Sequence, residues 1–152
     1  MSEFSISNGD VFAEFADEIE DLRDDLTDAI DSGVAKTAAQ VERSAKQRVP
    51  VDTGTLRASL RFRQRAPASY AVGTNVQYAP DVEFGTDPHV ITPNQAEALR
   101  FEDAEGEPVF AARVDHPGTP AQPYLRPALQ EHETDLTENI EAEIQRLVDR
   151  RF

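Results

Sequence analysis

The side chains best suited to catalysis or metal binding in this 152-residue chain are three histidines, His89, His116 and His132, and their spacing joins them to nothing. No H-E-x-x-H run and no Asp/Glu-x-His pair accompanies them, so they fall in loops and a helix without convergent ligands. Ser44, Ser59 and Ser69 stand outside any G-x-S-x-G turn, and no glycine-rich phosphate loop opens a helix. Carboxylate pairs such as Asp24–Asp25, or Glu18 with Asp21, fall on the polar side of a helical pattern and read as a solvated face. With no cysteine, thiolate and disulfide chemistry are excluded. No catalytic, cofactor-binding or metal-binding residue is assigned, no cofactor is expected, and the chain reads as a non-enzyme. One constellation remains. Arg61, Arg63 and Arg65 alternate along one strand, with Arg57 just before them, and guanidinium groups at intervals of about 7 Å can meet phosphates. A nucleic-acid-binding accessory protein using Arg57 to Arg65 is therefore the alternative reading. Only three or four charges line up, however, so pairing with an acidic helix of the same or a neighbouring subunit is preferred.

The charge pattern supports that preference. The net charge is −14, and residues 1 to 35 hold eleven acids against the single base Arg23. Residues 36 to 75 reverse the sign, with Lys36, Arg43, Lys46, Arg48, Arg57, Arg61, Arg63 and Arg65 against Glu42 and Asp52. Lys36 and Lys46 are the only lysines, and an acid-rich, lysine-poor balance is one that high salt tolerates, because salt screens like-charge repulsion. A high-salt source is expected. Hydrophobic residues make up 39% of the chain and there is no Trp, which leaves little material for a deep pocket and predicts a thin body that completes its burial against other subunits. The length suits one domain over residues 1–152. No apolar run approaches the roughly 18 residues of a membrane span, and Met1 to Gly9 lacks the pattern of a secretion signal, so a soluble protein with no membrane partner is expected.

The elements that must position these residues follow from periodicity. After an N-terminal segment (1–10), Phe15, Ile19, Leu22, Leu26, Ile30, Val34, Ala38, Val41 and Ala45 recur at threes and fours and predict a long amphipathic helix over 11–49. Ser7, Asn8 or Asp10 can cap it, Pro50 ends it, and Gly33 is a point where it could bend. Residues 50–123 read as a sheet with loops and a short helix. Strands are expected at Ser59–Arg65 and Ser69–Thr74, a helical turn at Tyr78–Phe84 stopped by Gly85, and loop over Thr86–Gln95. A hairpin follows from Leu99–Glu102 and Val109–Val114, then an extended loop over His116–Pro123. Leu125, Leu129, Leu136, Ile140, Ile144 and Leu147 predict a second amphipathic helix within 124–152. The class is α+β: a small antiparallel β-sheet flanked by a long N-terminal helix and a C-terminal helix.

Three ordered segments carry a resemblance. Val49 to Ser59 fits P-V-D-T-G-x-L-R-x-S, Val72 to Thr86 fits V-G-x-x-x-x-Y-A-x-x-x-E-x-G-T, and His116 to Leu129 fits H-P-G-T-x-x-Q-P-F-L-R-P-A with Tyr124 in place of Phe. Together they resemble the tail-completion, or head–tail joining (neck), family of tailed phages, the "gene product ten" group of lambdoid siphophages. The N-terminal helix carries no motif of the family.

The resemblance implies a structural virion protein: a neck subunit in a homo-oligomeric ring, six copies around a channel, that joins the head connector to the tail and lets genomic DNA pass without specific binding. Its implied partners are its own copies, head-side connector or adaptor proteins, and a tail terminator or tail-tube protein. It would reside in the virion of a siphovirus after assembly in the host cytoplasm, and the composition suggests a halophilic archaeal host. The assembly residues it marks are Asp52, Thr53, Gly54, Leu56, Arg57, Tyr78, Glu83, Phe84, Gly85, Thr86, Pro123, Tyr124, Leu125, Arg126 and Pro127. Physically, Asp52 and Thr53 can cap a turn that Gly54 permits, Leu56 can anchor it, and Arg57 is a candidate partner for Glu83. Gly85 would supply a positive φ, and Pro127 suits a first helical turn. The segments 85–95 and 116–123 are expected to be mobile in the free subunit and to order on assembly.

Overall fold

The computed structural model describes residues 9–52, 54–94, 98–102 and 104–152, apart from the side chain of Asp10. The proposed caps Ser7, Asn8 and Asp10, the motif residue Thr53 and the loop end Gln95 lie outside what is described. The first element is α1 (Gly9–Arg48), 40 residues in one uninterrupted helix and about 60 Å long at 1.5 Å per residue. It ends where expected: Val49 N–H still donates to the Ala45 carbonyl at 2.9 Å, and Pro50 cannot continue the ladder.

The predicted C-terminal helix is two helices, α4 (Leu125–Glu131) and α5 (Glu133–Arg151). The break is one residue wide. His132 N–H turns to the Leu129 carbonyl at 3.2 Å, and its ring bonds the Asp135 carboxylate at 2.5 Å. Both helices pack on α1, and α5 runs antiparallel to it. Asn139 Nδ2 donates to Thr37 Oγ1 (2.9 Å) and Gln40 Oε1 (2.7 Å), while Arg151 Nη1 reaches Asp25 Oδ2 at 2.6 Å. Since α5 ends beside Asp25, the start of α1 projects past it, and Phe12 and Phe15 on that stretch are 68% and 59% exposed. Gly33 does not interrupt α1. It lets the two helices touch, because a Cβ there would stand 2.7 Å from the Ile140 Cα.

In place of one flanked sheet there are three two-stranded antiparallel ladders. The motif at Val49–Ser59 includes a short helix, α2 (Thr55–Ser59), which periodicity did not reveal, so β1 (Arg61–Ala66) starts two residues later than predicted. It pairs with β2 (Ser69–Gly73), setting Arg61 opposite Gly73 and Arg63 opposite Ala71. The helical turn α3 (Ala79–Phe84) matches its prediction. The segment read as loop over 86–95 contains β3 (His89–Ile91), which pairs with β6 (Val114–His116), His89 opposite His116. The predicted hairpin is β4 (Leu99–Glu102) with β5 (Pro108–Ala111), and its second strand ends before Val114.

The core gathers where α1, α2, α3 and α4 meet: Val41, Ala45, Val49, Leu56, Leu60, Ala79, Tyr124 and Ala128. Tyr124 and Leu60 are its largest fully buried side chains, and a large apolar side chain so buried stabilises by about 1.5 to 3 kcal/mol. Substituting Gly33→Ala should separate α1 from α5, because the neighbour it meets is backbone and cannot turn aside. The expected cost is about 1 to 3 kcal/mol. It is read as a lowered Tm, whereas Gly73→Ala, with open space at that Cβ, should move the Tm far less.

Candidate assembly site

The residues marked by the second and third motifs meet around one carboxylate. Glu83, 8% exposed in the last turn of α3, accepts the Tyr124 N–H (2.8 Å) and the Leu125 N–H (2.8 Å) on one oxygen and the Arg126 N–H (3.0 Å) on the other. The first N–H groups of a helix have no partner within it, and Tyr124, at the cap position of α4, supplies no side-chain cap. Glu83 does that work from 41 residues away in sequence. Burial on its own would push the Glu83 carboxyl up. The N–H donors of Leu125, Tyr124 and Arg126, with the Arg126 charge, outweigh burial and hold it below its ordinary value.

Neighbouring motif residues close the same junction. Gln122 N–H donates to the Val82 carbonyl at 2.8 Å, and Thr86 and Thr119 exchange backbone bonds of 2.9 and 3.1 Å. Gly85 has φ 75°, as its motif required, and a Cβ there would lie 2.6 Å from the Thr119 carbonyl oxygen. Gly118, at φ 86°, would likewise drive a Cβ into the Thr86 carbonyl. Pro127 sits in the first turn of α4, where its missing N–H costs nothing. The Arg126 guanidinium lies 5.6 Å from the centroid of the exposed Phe84 ring. Leu56 is buried beneath, while Arg57 and Tyr78 are exposed. The segments 85–91 and 114–119 are thus paired with each other in the single chain.

Arg57 is not the partner of Glu83. Among the described residues no ion pair includes Arg57, and the carboxylate is already taken by backbone donors. Gly54 permits the turn before α2 with φ 79° and has no side-chain cap. Two anchors went unnoticed in the sequence. Asp31 accepts from Ala68 N–H (2.7 Å), Tyr70 hydroxyl (2.8 Å) and Gln64 Nε2 (2.9 Å), which clamps the β1–β2 turn to α1. The Ala68 and Tyr70 donors hold its carboxyl below the usual value. Glu42 accepts the Phe62 N–H at 2.7 Å and pairs with Lys46. In sequence both look like ordinary members of an acidic helix face.

The same hairpin turns Phe62, Gln64 and Tyr70 toward α1, so Arg61, Arg63 and Arg65 line the opposite side. They edge a shallow groove of about 160 Å³ with Ala71, Gly73 and Asn75. None of these arginines forms an ion pair with the acidic helix of its own chain among the described residues, although the Arg61 charge helps to hold down the Glu42 carboxyl of α1; Arg61 Nη1 donates to the Leu60 carbonyl at 2.7 Å. No group of three or more His, Cys, Asp or Glu among the described residues is placed to hold a metal ion, and no helix there is long and apolar enough to cross a membrane.

Residues 13–85 match the family model HK97-gp10-like, described as "Bacteriophage HK97-gp10, putative tail-component". Over these residues the chain is similar to that family of phage tail components, the group to which the motifs pointed. The match takes in most of α1, which carried no motif, and runs through α3 to Gly85. The third motif lies beyond it, joined to it by Glu83. No curated protein and no solved structure matched.

Because Glu83 and Asp31 ionise more readily in the folded chain than in the unfolded one, their contribution to stability is complete above the ordinary carboxylate range of about pH 4. It is lost as pH falls through their lowered values. Glu83→Gln, which keeps the shape but not the charge, should cost about 1 to 3 kcal/mol at neutral pH and flatten this acid limb. Urea unfolding at a series of pH values measures both.

Proposed function

We propose that the chain is a structural subunit of the neck of a tailed virus, one copy in a ring that joins the head connector to the tail around a channel for genomic DNA. The observation that carries this reading is the family match over residues 13–85 together with the junction at Glu83, which binds the matched region to the third motif. A tail component must contact other virion proteins, and Phe12, Phe15, Phe84 and Phe110, each more than half exposed, leave apolar surface for subunits to cover. Six copies per ring is the number carried by the resemblance.

The marked residues act by shape. Glu83, Gly85, Thr86, Pro123, Tyr124, Leu125 and Pro127 build the junction, and Arg57, Tyr78, Phe84 and Arg126 are presented at its surface to the head-side connector or the tail terminator. Asp52, Gly54 and Leu56 set the turn that seats α2, and Thr53, marked with them, lies outside the described residues. No catalytic step is assigned to any of them. The acid-rich, lysine-poor composition favours a halophilic host, with the protein assembled in the host cytoplasm and residing in the virion. Antibody fragments against the chain, imaged on intact virus particles, should decorate the boundary of head and tail. Label confined to the head shell or the distal tail tip, or absence of the chain from virions, would overturn the neck assignment.

A further inference from the structure

The arginine face of β1 and the acidic first half of α1 are both unpaired for much of their length, and they carry opposite charge. Arg61, Arg63 and Arg65 are exposed on the side of the hairpin facing away from α1, at intervals of about 7 Å. On α1, Glu14, Asp17, Asp21 and Asp28 fall on one side at 3.6 residues per turn, and neighbours four residues apart on such a row are separated by about 6 Å along the axis. All four are exposed, and none belongs to an ion pair among the described residues. Among the other acids, Asp24 and Glu20 hold Arg23, Asp25 holds Arg151 and Asp31 holds the hairpin turn, while the exposed Glu18 flanks the row without an ion pair among the described residues. Glu14, Asp17, Asp21 and Asp28 form a row whose successive steps are about 4.5, 6 and 10.5 Å along the axis, against about 7 Å for the arginines.

The fold keeps the two rows of one chain apart, since the hairpin packs on α1 through its other side. We propose that the acidic row of α1 in one copy docks along Arg61, Arg63 and Arg65 of the next copy. The contact is head-to-tail, so each copy offers one surface and receives on the other, the geometry that generates rings when the rotation closes. Charge also selects how two copies meet. Two α1 helices laid side by side would oppose like charges, whereas an acidic helix on the arginine row neutralises both surfaces. This contact rests on the ring reading above and specifies how its subunits touch.

Charge swaps in the full chain test it, read by sedimentation with circular dichroism as the check on folding. One variant carries Arg61→Glu, Arg63→Glu and Arg65→Glu, and the other Glu14→Lys, Asp17→Lys and Asp21→Lys. None of the six side chains lies in the core, so both variants should fold. The wild type should self-associate. Each variant alone should associate at least tenfold more weakly, and an equimolar mixture of the two should recover association, because every contact in an alternating assembly again joins opposite charges. The effect should be larger at low ionic strength than at high. A wild type that assembles while the arginine variant assembles equally well overturns the docking and leaves the ring reading standing. A wild type that stays a single chain at all concentrations removes both. Unchanged assembly together with loss of binding to a duplex DNA probe would assign the arginine face to nucleic acid and overturn the docking.

Discussion

The carboxylate of Glu83 receives three successive backbone N–H groups at the start of α4, and the placement of the C-terminal half of the chain depends on that contact. Without it, the first turn of α4 would present unpaired donors to a buried junction, which costs about 1 to 3 kcal/mol for each group left unsatisfied. With it, Tyr124 is seated in the core at 2% exposure and Ala128 follows at 0%. The direction of α4, and through the break at His132 that of α5, then follows from where α3 ends. The motif spacing has a physical reason: Glu83, Gly85 and Thr86 on one segment and Thr119, Gln122 and Tyr124 on the other are two halves of one contact surface.

A protein with so small a core must take its shape from pinned backbone rather than from bulk burial. Asp31, Glu42 and Glu83 each bind backbone N–H groups of a distant segment: Asp31 and Glu42 fix the β1–β2 hairpin onto α1, and Glu83 fixes the start of α4 onto α3. This use of acids differs from the remaining acids of α1, which stay in solvent and give the chain its charge. The frame is stiff where these contacts lie. The start of α1, projecting beyond α5, and the β4–β5 hairpin leave large apolar side chains such as Phe15 and Phe110 uncovered.

Sequence reasoning located α1, the β1–β2 hairpin and α3 because each has a clean period or a firm stop: the threes and fours from Phe15 to Ala45, the alternation of arginines, the glycine after Phe84. It missed β3 and β6 because three-residue strands set among prolines and histidines have no period to detect. It ran the last helix through His132 because the apolar spacing of Leu129 and Leu136 continues across the break. At the site, residues marked by the second and third motifs meet at one junction, but Glu83 was given the wrong partner. A sequence displays opposite charges as letters, so Arg57 was the visible match, whereas the backbone N–H groups of residues 124 to 126 carry no letter. Asp31 and Glu42 were hidden for the same reason, among the eleven acids of α1.

Native-state hydrogen exchange at the amides of Thr119, Leu125 and Arg126 in the free chain tests the central claim, that the motif junction is part of the folded frame and not a loose segment awaiting a partner. These amides should exchange only through the same opening that exposes the core amides of α1 around Ala45, with matching protection, and should lose that protection together in Glu83→Ala. Exchange at rates near those of an unstructured peptide, with the α1 amides still protected, would contradict the account.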